Sequence, residues 1–327
     1  MRKFLLLVIG LAVALGGWYF SQHYRIEGLD GLKLIPLSGA TGGQEYASNL
    51  PGVQRDGNTI HMASFNIQVF GQKKLSDPRV TKLLAEIIRQ FDIVAVQEIR
   101  SKQDILPRFV DEINATGRHY DYVIGPRLGR SSSKEQYAFI FDTASIEIDR
   151  SALYTVSDPD DLLHREPLVG WFRVRGPPAD QAFTFSLINI HTDPDETDQE
   201  LDALADVFRA VRGDGRGEDD VILLGDLNVD EAHLGRLGQI SNIHWAVSRV
   251  ATNTRGTKQY DNIVFSELAT TEYTGRWGVF DMIRHYNLTV EEALKISDHQ
   301  PVWAEFGLQE GGPRGRVATR PFNAISR

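Results

Sequence analysis

The chain has 327 residues, 42% apolar and 24% charged, the balance of a globular protein with room for one large α/β domain or two small ones. A formal charge of −9 excludes general coating of polyanions, although a metal site and a few local arginines can outweigh a distant net charge. Cysteine is absent, which excludes disulfides, zinc–thiolate centres and cysteine nucleophiles but says little about compartment.

Residues 4–20 are an unbroken apolar run after Arg2 and Lys3. At a rise of about 1.5 Å per residue such a run just reaches the bilayer minimum. A basic start followed by an apolar core reads as a signal peptide or signal anchor. No small-x-small cleavage site is evident, and Trp18, Tyr19 and Phe20 resemble interface aromatics, so an uncleaved membrane anchor is the preferred reading. The basic residues then stay in the cytoplasm and the rest is extracytoplasmic, or secreted if the leader is cleaved. Residues 21–58 are rich in glycine and polar residues without period and read as a linker. The domain is expected over 59–306. The tail, 307–327, carries four arginines and several glycines and reads as disordered and basic.

Within the domain, strands and helices alternate. Strands are expected at 60–69, 92–98, 120–124, 137–141, 169–174, 182–191, 221–227, 261–265 and 301–306. Asp77 before Pro78 predicts a helix start, followed by Val80, Leu83, Leu84, Ile87 and Ile88 at helical spacing. Asp193, Pro194 and Glu196 predict a second start as a capping box, and Leu201, Leu204, Ala205, Phe208 and Val211 form that helix's apolar face. Thr289 with Glu292 opens a third, shorter helix. So many strands with few helices favour an α/β sandwich of two packed sheets, with the chemistry in loops at one end of the strands.

Polar groups at the ends of apolar runs are costly to bury unless paired or bound to a cation. Asn66 in S-F-N-I, Glu98 in V-A-V-Q-E, Asp226 and Asn228 in L-L-G-D-L-N, and Asp298 with His299 in S-D-H-Q-P stand at such ends. Glu98 and Asn66 offer the oxygen ligands preferred by Mg²⁺ or Ca²⁺. Asp226 and Asn228 share one side of a strand by period two, and Gly225 permits close backbone approach. His191 and His299 suit general acid and base work, each needing a carboxylate partner: Asp261 is the candidate for His299 and Glu135 for His191.

These motifs and their order resemble the endonuclease/exonuclease/phosphatase superfamily, more closely its deoxyribonuclease I branch. The likeness covers roughly 60–306 and rests on S-F-N-I-Q-V-F-G, V-Q-E-I-R, S-K-E-Q-Y-A-F-I-F, R-E-P-L-V-G-W-F, N-I-H-T-D-P, L-L-G-D-L-N-V-D, Y-D-N-I-V and A-L-K-I-S-D-H-Q-P-V. The resemblance implies a four-layer α/β/β/α sandwich of two packed mixed sheets and a metal-dependent phosphodiesterase, an endonuclease acting on DNA. It implies that Glu98 and Asn66 hold the main ion (Mg²⁺, with Mn²⁺ or Ca²⁺ as substitutes), and that Asp298 sits at a second cation position. Asp226 and Asn228 would orient phosphate or water, Asp261–His299 and Glu135–His191 would be acid–base dyads, and Arg165, Arg100, Tyr260 and Thr252 would touch phosphate or groove. Alternatives are a phospholipid or inositol phosphate substrate, or an inactive binding scaffold. Two departures stand out: Gln68 where the family often has arginine, and Ser133 where it often has an aromatic. Both would weaken the grip on duplex DNA. The branch's usual disulfides are also missing, leaving calcium or packing to hold those loops.

Overall fold

The computed structural model describes residues 57–130 and 134–311, together with the backbone of 24–27 and 33–36. Tyr24–Glu27 (β1) and Lys33–Pro36 (β2) pair antiparallel inside the segment expected to be a linker, in a unit of their own. The apolar run 4–20 and Ser133 lie outside the described residues.

The domain holds two sheets. In the first, the strand order is Tyr273–Val279 (β14), Val302–Gly307 (β15), Thr59–Phe70 (β3), Ile93–Ile99 (β4), Gln136–Asp142 (β6), Tyr120–Ile124 (β5). In the second it is Ile243–Trp245 (β12), Asp261–Ser266 (β13), Val221–Asp226 (β11), Thr184–His191 (β10), Leu168–Val174 (β9), Ile146–Ile148 (β7), with Tyr154–Thr155 (β8) also on β9. Each sheet is built the same way: a central parallel pair, β3–β4 or β10–β11, flanked on both sides by antiparallel strands. The carboxyl ends of both parallel pairs and the starts of β6, β13 and β15 therefore meet at one edge of the sandwich.

Alternation decides the layers. Along β3, Ile60 and Met62 join Phe139, Phe172, Leu187, Leu224 and Ile263 between the sheets. Ala63, Phe65 and Ile67 face instead the helices Pro78–Ile88 (α2), Leu106–Asn114 (α3), Met282–Tyr286 (α6) and Val290–Ile296 (α7). On the far side, Ile188, Ile190 and Leu223 pack under Thr197–Arg212 (α4) and Gly235–Gly238 (α5). The result is the α/β/β/α stack. A one-turn helix, Gln72–Leu75 (α1), follows β3.

Two of the three expected helix starts are capped by their side chains. Asp77 accepts from the N–H groups of Arg79 and Val80 at 3.0 and 3.2 Å, and Thr289 with Glu292 forms a full capping box. At α4 the expected box is absent: Glu196 makes no side-chain cap, and its carboxylate pairs instead with Arg130 at 2.6 Å. Residues 307–311, expected to open the tail, are instead paired with the domain, and the rest of that segment lies outside the described residues. Phe183 N–H donates to Leu308 O at 3.0 Å and Glu310 N–H to Gln181 O at 2.9 Å, so residues up to 311 belong to the domain.

Candidate active site

Inner-face positions of the two parallel pairs become polar as they approach the shared edge. Ser64 and Asn66 follow Ile60 and Met62 on β3, Gln97 follows Ile93 and Ala95 on β4, Asn189 and His191 follow Leu187 on β10, and Asp226 follows Leu224 on β11. The lower members form a buried amide layer. Gln97 Nε2 donates to Asn189 Oδ1 at 2.7 Å and to Ser64 Oγ at 3.1 Å, while Asn189 Nδ2 donates to the carbonyls of Val96 and Ala138 at 3.2 and 3.0 Å. Every bond crosses or braces strands, so the layer fixes how the sheets sit beneath the site.

Strict alternation would send Glu98 to the helix side with Val94 and Val96. Its φ is instead +60°, and both ladders of β4 slip between Val96 and Ile99. A non-glycine residue in the left-handed region at a bulge is a strained, re-aimed position of the kind found at functional sites. Val69, at φ +51°, is its counterpart on β3, and its N–H donates to Glu98 Oε2 at 2.9 Å. Arg100 lies 3.1 Å from the same oxygen and 3.4 Å from Glu135 Oε2.

The dyads proposed from sequence both form. His191 Nδ1 donates to Glu135 Oε1 at 2.8 Å, and His299 Nδ1 donates to Asp261 Oδ2 at 2.9 Å. Each crosses between sheets: His191 ends β10 and Glu135 precedes β6, whereas His299 precedes β15 and Asp261 opens β13. With Nδ1 occupied, each ring presents Nε2, and both Nε2 atoms approach Asp226 Oδ2, at 3.5 and 3.4 Å. Burial opposes a charge on His191, but the Glu135 hydrogen bond and Asp226 outweigh it and raise its pKa. At His299 the same contest, with Asp261 and Asp226 as the anions, pushes the pKa up to about 10. Glu135 is held below the usual carboxylate range despite burial, by His191, Arg165 and Arg100. Burial pushes Asp261 up, against His299 and Thr252. Because both neighbours donate to Oδ2, its carboxylate is the acceptor.

Asp226, Asn228, Glu98, Arg100, Arg165, Tyr260, Asp298, Asp193, Pro194 and both histidines line one solvent-open cleft of about 360 Å³. Asn228 arrives differently from the sequence expectation. The strand ends at Asp226, and Asn228 lies beyond it at φ +54°, its Nδ2 donating to Thr192 O at 2.8 Å. Gly225 does permit the close approach: a Cβ there would lie 1.9 Å from Ile190 O. Arg165 is buried, its Nε 3.1 Å from His191 O and 3.2 Å from Glu135 Oε1, so it braces a dyad at the cleft wall. Thr252 is a correction. Its fully buried hydroxyl donates to Asp261 Oδ2 at 2.6 Å and accepts from two backbone N–H groups, so it buttresses Asp261 rather than facing the cleft. Gln68 turns inward, Nε2 donating to Asp298 Oδ2 at 2.9 Å. Ser297, Thr192 and the amide layer went unnoticed in the sequence. Ser297 Oγ donates to Asn66 O at 2.6 Å and accepts from His299 N–H at 3.1 Å, a link that only the fold creates between positions 231 residues apart.

The donor set fits a hard divalent cation. Asn66 Nδ2 donates to Asp226 Oδ2 at 2.9 Å and Glu98 Oε1 at 3.2 Å, which leaves Asn66 Oδ1 buried with no donor. Asp298 Oδ1 likewise accepts no hydrogen bond, its nearest positive group being His299 Nε2 at 3.9 Å. Orphaned oxygens beside carboxylates suit an ion that prefers oxygen. Asp226, Asp261 and His299 also lie close enough to gather an ion, but the Asp261–His299 contact is the dyad hydrogen bond.

Fold and site together define a hydrolase that pairs histidine–carboxylate dyads with an oxygen-lined cation position. The Endonuclease/Exonuclease/phosphatase family matches residues 63–299, and the chain belongs to that family. It is 34% identical over 269 residues to deoxyribonuclease gamma of Rattus norvegicus, covering 77% of this chain and 85% of the relative. It is 34% identical to deoxyribonuclease-1-like 1 of Bos taurus (77% and 84% covered) and 33% identical to deoxyribonuclease-1-like 2 of Mus musculus (76% and 91%). Among solved structures, a humanized D. rerio TDP2 and the human Nocturnin catalytic domain share the fold, each at TM-score 0.54, with 14% and 17% identity, over 76% of this chain and 99% and 94% of theirs.

Proposed function

We propose that this protein is a DNA endonuclease that hydrolyses phosphodiester bonds by in-line attack of an activated water, with Mg²⁺ as its working ion and Mn²⁺ or Ca²⁺ as substitutes. The observation that carries the reading is the convergence of two carboxylate-braced imidazoles on one oxygen, Asp226 Oδ2, inside a cleft whose relatives are named deoxyribonucleases. A divalent ion held by Glu98 and Asn66, with Asp298 at a second position, would supply positive charge to the non-bridging phosphate oxygens. One imidazole withdraws the proton of the attacking water and the other returns a proton to the leaving oxygen. Glu135 and Asp261 fix the ring tautomers so that Nε2 faces the reacting atoms. Asn228 and Asp226 orient phosphate and water. Arg100 and Arg165 supply charge at the wall, and Tyr260, whose ring centroid is 5.7 Å from that of His299, offers a stacking face.

The apolar character of residues 4–20 supports an extracytoplasmic domain that is tethered to, or released from, a membrane. Among the described residues no helix is long and apolar enough to cross one.

Supercoiled plasmid incubated with the full-length protein and Mg²⁺ is expected to be nicked, and EDTA to stop it reversibly. Intact plasmid alongside headgroup release from a phospholipid would overturn the assignment to DNA.

A further inference from the structure

A second acidic constellation lies at the other end of the sandwich. Strands β10 and β11 finish at the cleft with His191 and Asp226, and their starting ends lie at the opposite edge. Asp220 immediately precedes β11, and Glu272 immediately precedes β14. Glu310 follows β15, whose cleft end is marked by His299. One carboxylate oxygen from each of the three lies within 4.8 Å of the others. Asp220 belongs to the second sheet, Glu272 and Glu310 to the edge of the first.

Hydrogen bonds in this cluster leave a definite remainder. Glu218 is fully engaged: Oε1 accepts from Asp220 N–H and Oε2 from Trp171 Nε1, each at 2.9 Å. Glu310 Oε2 accepts from Thr184 N–H at 3.2 Å, and Glu272 Oε1 accepts from Gly311 N–H. Glu272 Oε2 and both oxygens of Asp220 are buried and accept no hydrogen bond of good geometry, the nearby Thr270 hydroxyl included, and Asp220 is only 1% exposed. Among the described residues no arginine, lysine or histidine forms an ion pair with any of these four acids. Buried anionic oxygens without donors or counter-charge are costly.

We propose that Asp220, Glu272 and Glu310 form a second cation site, distinct from the cleft, which takes one Ca²⁺ and ties the two sheets together at the edge away from the chemistry. All the donors are oxygens, and a mutual separation within 4.8 Å lets each reach a shared ion at about 2.4 Å. Calcium tolerates such irregular shells better than magnesium, which demands near-octahedral geometry and holds its water. In a chain with no cysteine, the ion serves as the cross-link between layers.

The test uses the full-length protein stripped with EGTA, Ca²⁺ as ligand and Tb³⁺ as a luminescent probe. Trp171, hydrogen-bonded to Glu218, is placed to sensitise Tb³⁺ at this site. Saturating Ca²⁺ is expected to raise the melting temperature by about 5 °C, and Trp-excited Tb³⁺ emission should be displaced by Ca²⁺. With Mg²⁺ held saturating to occupy the cleft, Asp220→Asn and Glu310→Gln should each cut that emission about tenfold and abolish the Ca²⁺-induced melting shift, while Mg²⁺-dependent hydrolysis persists. Glu310→Gln, at a half-buried position, decides the matter if Asp220→Asn fails to fold. Unchanged emission and melting shift in the variants would overturn the proposal. So would a wild-type protein indifferent to Ca²⁺ with an Asp220→Asn variant more stable than it, since the acids would then merely share protons.

Discussion

His191 and His299, which belong to different sheets, aim their Nε2 atoms at a single oxygen, Asp226 Oδ2, from 3.5 and 3.4 Å. Two proton carriers trained on one point serve one reacting group, so they act as a unit. His191→Ala and His299→Ala are each expected to slow plasmid nicking by about 10²–10⁴-fold, and the double variant should be little worse than the poorer single one. Circular dichroism and melting should show the fold intact. Asp261→Asn should approach the His299→Ala defect, because the amide no longer fixes the ring tautomer. Near-normal nicking in both single variants would remove the mechanism.

Glu98 is carried on strained backbone and shares Asn66 with Asp226. Glu98→Gln keeps the shape but removes the charge, so the Mg²⁺ concentration needed for half-maximal rate is expected to rise about tenfold or more. Rates measured across a Mg²⁺ titration check this, and an unchanged midpoint would place the ion elsewhere.

Lys74 gives a pH prediction away from the histidines. Burial lowers its pKa to about 8, against the pull of Asp298 and Glu98. Its Nζ donates to the carbonyls of Ile67, Gln68 and Ile296, the last at 2.7 Å. Between about 8 and the ordinary 10.5, the unfolded chain binds more protons at this position than the folded one, so stability rises with pH there. The contribution is complete above 10.5 and is lost as pH falls through about 8. Urea unfolding of wild type and Lys74→Met across that range should show their difference moving in the wild type's favour as pH rises. A flat difference would contradict the assignment.

Gly225→Ala tests the parallel pair. A Cβ placed 1.9 Å from Ile190 O cannot be accommodated without parting β10 from β11. The expected cost is on the order of 4 kcal/mol or more, read as insoluble expression or a collapsed melting temperature.

Much of this was legible in the sequence because the chemistry sits where apolar runs end. Val221–Leu224 and Ile93–Val96 declare strands, and the polar residue that follows each has nowhere to go but the edge of the sheet. Glu98 was found this way although its backbone conformation was not foreseeable, since local alternation alone points it to the helices. Strand β14, Y-T-G-R-W-G-V, was missed because glycines and a largely exposed edge erase any period. Helix α3 was missed because Pro107 near its start masks the apolar spacing of Leu106, Phe109, Val110 and Ile113. Thr252 was misread because a hydroxyl near a site can serve substrate or scaffold, and only the contact with Asp261 decides. Glu218, Asp219 and Asp220 resemble a solvated acidic run, and their burial arises from distant segments.

Neither sheet owns a complete acid–base pair, because each histidine borrows its carboxylate from the opposite layer. A relative slip of about 1 Å is enough to spoil such alignments, and here it would disarm both pairs at once. Catalysis is thus a gauge of how the two halves are seated: no loosened state that parts them retains partial turnover, and hydrolysis should vanish before either half has lost its own strands.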